Sequence, residues 1–151
     1  MSITYKQGYL VVVKSWENDA DYKATTELQV ETLEEVHFWK EFCHCFSKSS
    51  WEGPEWCGNI YDEVRQSPLI PVLEKYKELR VLKELEVDEY LEEEKAKKEE
   101  IDDSWSESDF LWCVMNLVGL CGMVDAQWSR KVESFKAYEI PQETTFYEVK
   151  L

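Results

Sequence analysis

Residues 8–16 read GYLVVVKSW, and residues 23–31 read KATTELQVE. The first is a β-branched and aromatic run of the kind found in a central strand. The second places Ala24, Thr26, Leu28 and Val30 at alternate positions, the period of a strand with one buried face. Between them lies the polar run Glu17-Asn18-Asp19-Ala20-Asp21, so the two strands are expected to form an N-terminal hairpin with a long connection.

Moving outward from this hairpin, the periodicity changes. Thr32-Leu33-Glu34-Glu35 has the pattern of a capping box, a hydroxyl at the N-cap with a glutamate three residues on. Val36, Trp39, Phe42, Cys43 and Phe46 follow at helical spacing, which predicts a helix from Leu33 to about Ser47. Residues 48–59 form a Gly/Pro/Ser-containing loop that carries Trp51 and Trp56. A short helical piece is expected over residues 60–66, interrupted at Ser67-Pro68. A longer helix then begins at Leu69 or Pro71, with Val72, Tyr76, Leu79 and Leu82 on its apolar stripe and Leu91 as its last core position.

Phe110 to Cys121 is apolar on nearly all sides, which predicts a buried central helix ending near Gly119 to Gly122. Residues 132–140 and 144–151 read as two further strands around Pro141-Gln142-Glu143, a C-terminal hairpin. The expected fold class is therefore α+β, one domain over residues 1–151. Its mainly antiparallel sheet comes from the N- and C-terminal hairpins, packed against a helical middle.

Composition narrows the function. The 151 residues hold 32 Asp and Glu against 17 Lys and Arg, a formal net charge of −15, yet 44% are hydrophobic and 14% aromatic. That is enough apolar material for a folded core, so the acidity is expected on the surface of a compact molecule. Residues 84–103 hold eleven acids and three lysines, a net of −8, and are read as a solvated acidic helical segment. Such a field repels nucleic acid and anionic membrane and attracts basic surfaces. Twenty helical residues span about 30 Å. The charge density is then one per roughly 4 Å, close to one DNA strand and below the duplex value of about one per 1.7 Å. A role as DNA mimic would need carboxylates from elsewhere alongside.

Enzymatic motifs are missing. There is no Gly-x-Ser-x-Gly elbow, no dinucleotide-binding or phosphate-loop glycine spacing, and no basic run longer than Lys97-Lys98. His37, Cys43, His44, Cys45 and Cys57 are close in sequence, but Cys43 and Cys45 point apart on a helix and no second CxxC pair follows. No metal or cofactor is expected from them. The odd count of five cysteines, without a secretory signal or a spanning segment, suits reduced, buried thiols in a cytoplasmic protein.

Two candidate sites emerge. The tryptophan loop with Trp51, Trp56 and Tyr61, together with the acids Glu92, Glu93 and Glu94, mixes aromatic anchors with charge as partner-binding surfaces do. Glu17, Asp19 and Asp21 gather carboxylates at a strand end, where they would hold a ligand or a hard divalent cation. An EF-hand loop starting at Asp19 fails, because Ala24 and Val30 occupy the positions that need Gly and Glu.

The segment Lys14-Ser15-Trp16-Glu17-Asn18-Asp19-Ala20-Asp21-Tyr22, with the capped helix and Gly58-Asn59-Ile60-Tyr61-Asp62 after it, resembles small acidic accessory proteins of tailed bacteriophages. Those are mostly of unassigned function. The resemblance covers about the first 60 residues and implies an intracellular protein acting on host machinery or on a host defence system. The expected function is that of a non-enzymatic interaction protein that binds and inhibits a protein with a basic surface. Two alternatives stand beside it: a nucleotide or small-ligand binding protein, divalent-metal assisted, and a structural or assembly component.

Overall fold

The computed structural model describes residues 1–17, 22–45, 69–99, 109–120 and 130–151. Its strands are β1 (Ser2–Tyr5), β2 (Gly8–Glu17), β3 (Tyr22–Val30), β4 (Arg130–Ile140) and β5 (Thr144–Tyr147). Its helices are α1 (Leu33–His44), α2 (Leu69–Lys75), α3 (Arg80–Glu84), α4 (Val87–Glu99) and α5 (Asp109–Leu117). The fold is α+β, with antiparallel pairing throughout the described strands.

β2 is the central strand. It pairs with β3 from Tyr9↔Val30 to Glu17↔Tyr22 and with β4 from Gly8↔Ile140 to Glu17↔Arg130. Its inner face buries Val11, Val13 and Ser15, while Lys14 on the other face is exposed. On β3 the alternation holds as read from sequence: Ala24, Thr26, Leu28 and Val30 are sheltered, and Thr25, Glu27 and Gln29 are exposed.

The two C-terminal strands do not pair with each other. β4 joins β2 in the three-stranded sheet, and β5 pairs with β1, from Ser2↔Tyr147 to Tyr5↔Thr144, in a separate two-stranded ribbon. The expected C-terminal hairpin is therefore a crossing, and strands from both ends of the sequence share one sheet. The segment at Pro141-Gln142-Glu143 carries the chain off the main sheet; proline lacks the N–H that a continuing ladder needs.

The β2–β4 register slips once. Lys14 faces Ser134, but Ser15 faces Val132, so the register skips Glu133. Partners across an antiparallel pair share a face. Val132 opposite Ser15 and Phe135 opposite Val13 thus lie on the inner side although three residues apart. This is a β-bulge, and Glu133 is its extra residue.

α1 starts as predicted. The Thr32 side chain accepts from the Glu35 N–H at 3.2 Å, and the Glu35 carboxylate accepts in return from the Glu31 N–H at 3.2 Å. Val36, Trp39, Phe42 and Cys43 are buried on one face. Phe38, absent from the predicted stripe, is fully buried too, 4.8 Å from the Trp39 ring and 5.4 Å from that of Tyr76. The described helix ends at His44, with Cys45 as its C-cap.

The long helix predicted from Leu69 is three helices. Leu79 is extended (φ −63°, ψ 139°) between α2 and α3, and Glu86 takes a left-handed φ of 60° between α3 and α4. One helix over residues 69–99 would be about 46 Å long, well beyond a small domain's diameter of about 30 Å. The breaks let one stripe, Leu69, Leu73, Tyr76, Leu79, Leu82, Val87, Tyr90 and Leu91, stay buried around a compact core.

α5 is less enclosed than its composition predicts. Phe110, Val114, Met115, Val118 and Leu120 are buried, but Cys113, Asn116 and Leu117 face outward. Tyr90 of α4 stacks on Phe110 at 4.7 Å. The helix closes with the Leu120 N–H donating to the Met115 carbonyl at 3.0 Å and the Gly119 N–H to that of Asn116 at 3.1 Å. This is the Schellman pattern, which needs a left-handed residue; Gly119 has φ 72°. Gly119 also lies directly on Thr26 of the sheet, where a Cβ would collide with the Thr26 hydroxyl. Among the described residues no helix is long and apolar enough to cross a membrane.

Candidate functional site

Where α1 and α2 meet the bulged end of β4, the surface opens into a cleft of about 790 Å³. α1 contributes His37, Lys40, Glu41, Cys43, His44 and Cys45, α2 contributes Val72, Lys75 and Tyr76, and β4 contributes Val132 to Phe135. The bulge positions this wall. Bulges re-aim side chains, and here Glu133 is exposed at the rim while Val132 stays in the core.

The polar centre of the cleft is Glu41. It accepts a hydrogen bond from the Tyr76 hydroxyl and a charged one from Lys75 Nζ at 3.0 Å. The Tyr76 hydroxyl, then Lys75, hold the Glu41 carboxyl below its ordinary pKa. Burial, then the hydrogen bond to Glu41, push the Tyr76 phenol up. The Lys75 ammonium is raised by its bond to Glu41 and lies 5.1 Å from the Tyr76 ring centre. Each group thus stabilises its neighbour in the form present at neutral pH: carboxylate, ammonium and phenol.

The thiols of the cleft are held protonated. Burial raises Cys43 far above its ordinary pKa and pushes Cys45 up to about 11, and Cys45 Sγ donates to the Glu41 carbonyl at 3.4 Å. A thiol is a poor nucleophile and a poor metal ligand; the thiolate does both jobs. Cys43 and Cys45 are therefore packing groups. Cys113 departs from the expectation of buried thiols, because it lies on the outward side of α5. Cys57 and Cys121 lie outside the described residues. Among the described residues no group of three or more His, Cys, Asp or Glu side chains is placed to hold a metal ion.

The acidic segment is a second feature, and part of its charge is neutralised locally. Arg80 pairs with Glu84 at 2.8 Å, and Lys83 with Asp88 at 3.0 Å and Glu78 at 3.6 Å. Glu89 has no such cation among the described residues. A hydrogen bond with Glu86, then the charges of Glu86, Glu93 and Glu92, raise its pKa. A raised carboxyl on an exposed helix marks a crowded negative field. Glu92 and Glu93 are exposed on α4, and Glu94 is half-buried. The break at Glu86 also means that residues 84–99 do not form one straight charged rod; residues 100–103 of the acidic segment lie outside the described residues.

The other predicted positions divide. Glu17 ends β2, its backbone paired with Tyr22 and Arg130. Asp19, Asp21, Trp51, Trp56 and Tyr61 lie outside the described residues, as does the whole tryptophan loop. Sequence reading missed the Glu41–Lys75–Tyr76 group, whose members are 34 and 35 residues apart. Its one signal was Tyr76, a phenol on an apolar stripe, because a buried tyrosine hydroxyl needs a partner. Compared with known proteins, this chain matches no family model, no curated protein and no solved structure.

Proposed function

We propose that this chain is a non-enzymatic interaction protein that docks its acidic α4 face on a protein with a basic surface and inhibits it. The observation that supports this most directly is that Glu89, Glu92 and Glu93 stand at i, i+3 and i+4 on α4 with Glu86 just before it, so that their charges add to the hydrogen bond with Glu86 in raising Glu89. A basic partner would relieve that repulsion, so binding is favoured where the charges meet, and a net charge of −15 steers encounter from a distance. The resemblance to phage accessory proteins suggests a phage-encoded protein in the host cytoplasm. A nucleic-acid-binding enzyme of the host, or of its defence system, is then the partner class. Acting as a DNA mimic is the narrower form of the same reading.

The test is to reverse Glu89, Glu92 and Glu93 to Lys together and measure association with a captured basic partner across ionic strength. Binding should slow, and its salt dependence should flatten. Unchanged rates would remove the acidic face from the mechanism and favour a structural or assembly role.

The cleft supports a second reading, a small-ligand or nucleotide binding protein. Its volume of about 790 Å³ falls in the range of ligand pockets. Its described lining comes from α1, α2 and β4 and does not include Glu17. Thermal shift with a panel of nucleotides and metabolites, with and without divalent cations, separates the two. A shift abolished by Glu41→Gln assigns the ligand to the cleft.

A further inference from the structure

Six of the large hydrophobic side chains that are exposed among the described residues gather in one place: Met1, Ile3, Phe146, Tyr147, Val149 and Leu151. All belong to the β1–β5 ribbon or to the residues adjoining it. A two-stranded ribbon is marginal in water on its own. Among the described residues this one is tied to β3 at one end, by the Tyr5 hydroxyl donating to Glu27 at 3.1 Å and the Lys6 N–H to Gln29 at 2.9 Å. Its free apolar surface and open edges are what pairing with another strand would cover.

Charge selects the occupant. Residues 1–9 and 141–151 together carry Lys6 and Lys150 against Glu143 and Glu148, a balance of zero in a chain of net charge −15. Two copies can meet here without the repulsion that separates their acidic faces. The sequence 147–151 is also complementary to itself. Tyr147, Val149 and Leu151 alternate with Glu148 and Lys150. In an antiparallel pair centred on Val149, Val149 faces its own copy, Tyr147 faces the second copy's Leu151, and Glu148 faces the second copy's Lys150. One side of the pair is then wholly apolar and the other carries two opposite-charge pairs, both favourable across strands.

We propose that the β1–β5 ribbon is the self-association surface of this protein, formed when residues 147–151 of two copies pair antiparallel about Val149. The contact is isologous, so it closes as a dimer. Glu148 also approaches the Met1 amino group at 4.0 Å; both side chains are largely exposed, which leaves the Glu148 carboxylate free to turn to the second copy. The proposal is independent of the basic partner and of the cleft.

Sedimentation equilibrium of the full chain, from micromolar to millimolar concentration, tests it. The wild type should dimerise. Glu148→Lys and Lys150→Glu should each weaken the dimer by about tenfold or more, because each makes two like-charge pairs. The double variant E148K/K150E should regain wild-type association, and Val149→Asp should give a monomer. All three positions are exposed, and circular dichroism confirms that each variant is folded. A wild type that stays monomeric throughout overturns the proposal. So does a dimer indifferent to Val149→Asp, or a double variant no stronger than the single ones.

Discussion

The Tyr76 hydroxyl donates to the Glu41 carboxylate across 35 residues of sequence and fastens α2 to α1. Behind it the Tyr76 ring packs 5.4 Å from Phe38, so one side chain closes the aromatic core and anchors the polar wall of the cleft. Replacing Tyr76 with Phe keeps the ring and removes the bond. Because Glu41 is 38% exposed on its side chain, water replaces part of what is lost. Urea unfolding should show a loss of about 1 kcal/mol. A loss near zero would mean that the bond is only geometric.

The same group makes stability depend on pH in both directions. Glu41 is held below its ordinary pKa, so its contribution is complete above the unfolded carboxylate's titration and fades as pH falls through the lowered folded value. Lys75 and Tyr76 are raised, so their contribution is complete below their unfolded values and fades as alkaline pH rises through the folded ones. Glu41→Gln should therefore flatten both limbs of a plot of urea midpoint against pH. An acid limb identical to the wild type would assign acid sensitivity to other carboxylates.

Thiol accessibility gives an independent check on packing. In a variant with Cys57 and Cys121 changed to Ser, three cysteines remain: Cys113 exposed, Cys43 and Cys45 buried. Ellman's reagent at mildly alkaline pH should titrate one thiol quickly and two only on unfolding, since burial raises both Cys43 and Cys45. Rapid reaction of a second thiol would show that the α1 face opens in the native state.

Gly119→Ala tests the contact between α5 and the sheet. The left-handed φ of 72° penalises any Cβ, and the Thr26 hydroxyl occupies the space it needs. The expected destabilisation is about 2 kcal/mol, more than the conformational penalty alone. Adding Thr26→Ala should recover the steric share, so the double variant should be more stable than Gly119→Ala. If the two effects simply add, the helix end does not bear on Thr26.

What the sequence made legible was local. The alternation in β3, the reciprocal cap at Thr32 and Glu35, and the glycine stop at Gly119 each rest on residues within a few positions of one another. The breaks at Leu79 and Glu86 were not legible. Neither is marked by Gly or Pro, and the buried residues keep helical spacing through Leu79; across Glu86 the five-residue step from Leu82 to Val87 is the departure from it. The exchange of partners by β4 and β5 was hidden because pairing depends on which strand is nearby, not on the strand's own pattern. The Glu41–Lys75–Tyr76 group joins two helices whose relative placement no periodicity specifies.

The bulge at Glu133 works like a frameshift within the sheet. Upstream of it β4 presents one parity of residues to the core, and downstream the other, so Val132 and Phe135 both face inward. Deleting Glu133 would bring Val132 and Phe135 to alternate positions in an unbroken ladder, so both would keep the core face while the rim residue of the cleft and the local bend are lost. An insertion or deletion elsewhere in β4, with the bulge kept, would instead shift one arm by one residue and turn it over. Substitution of the exposed Glu133 side chain would leave the frame intact.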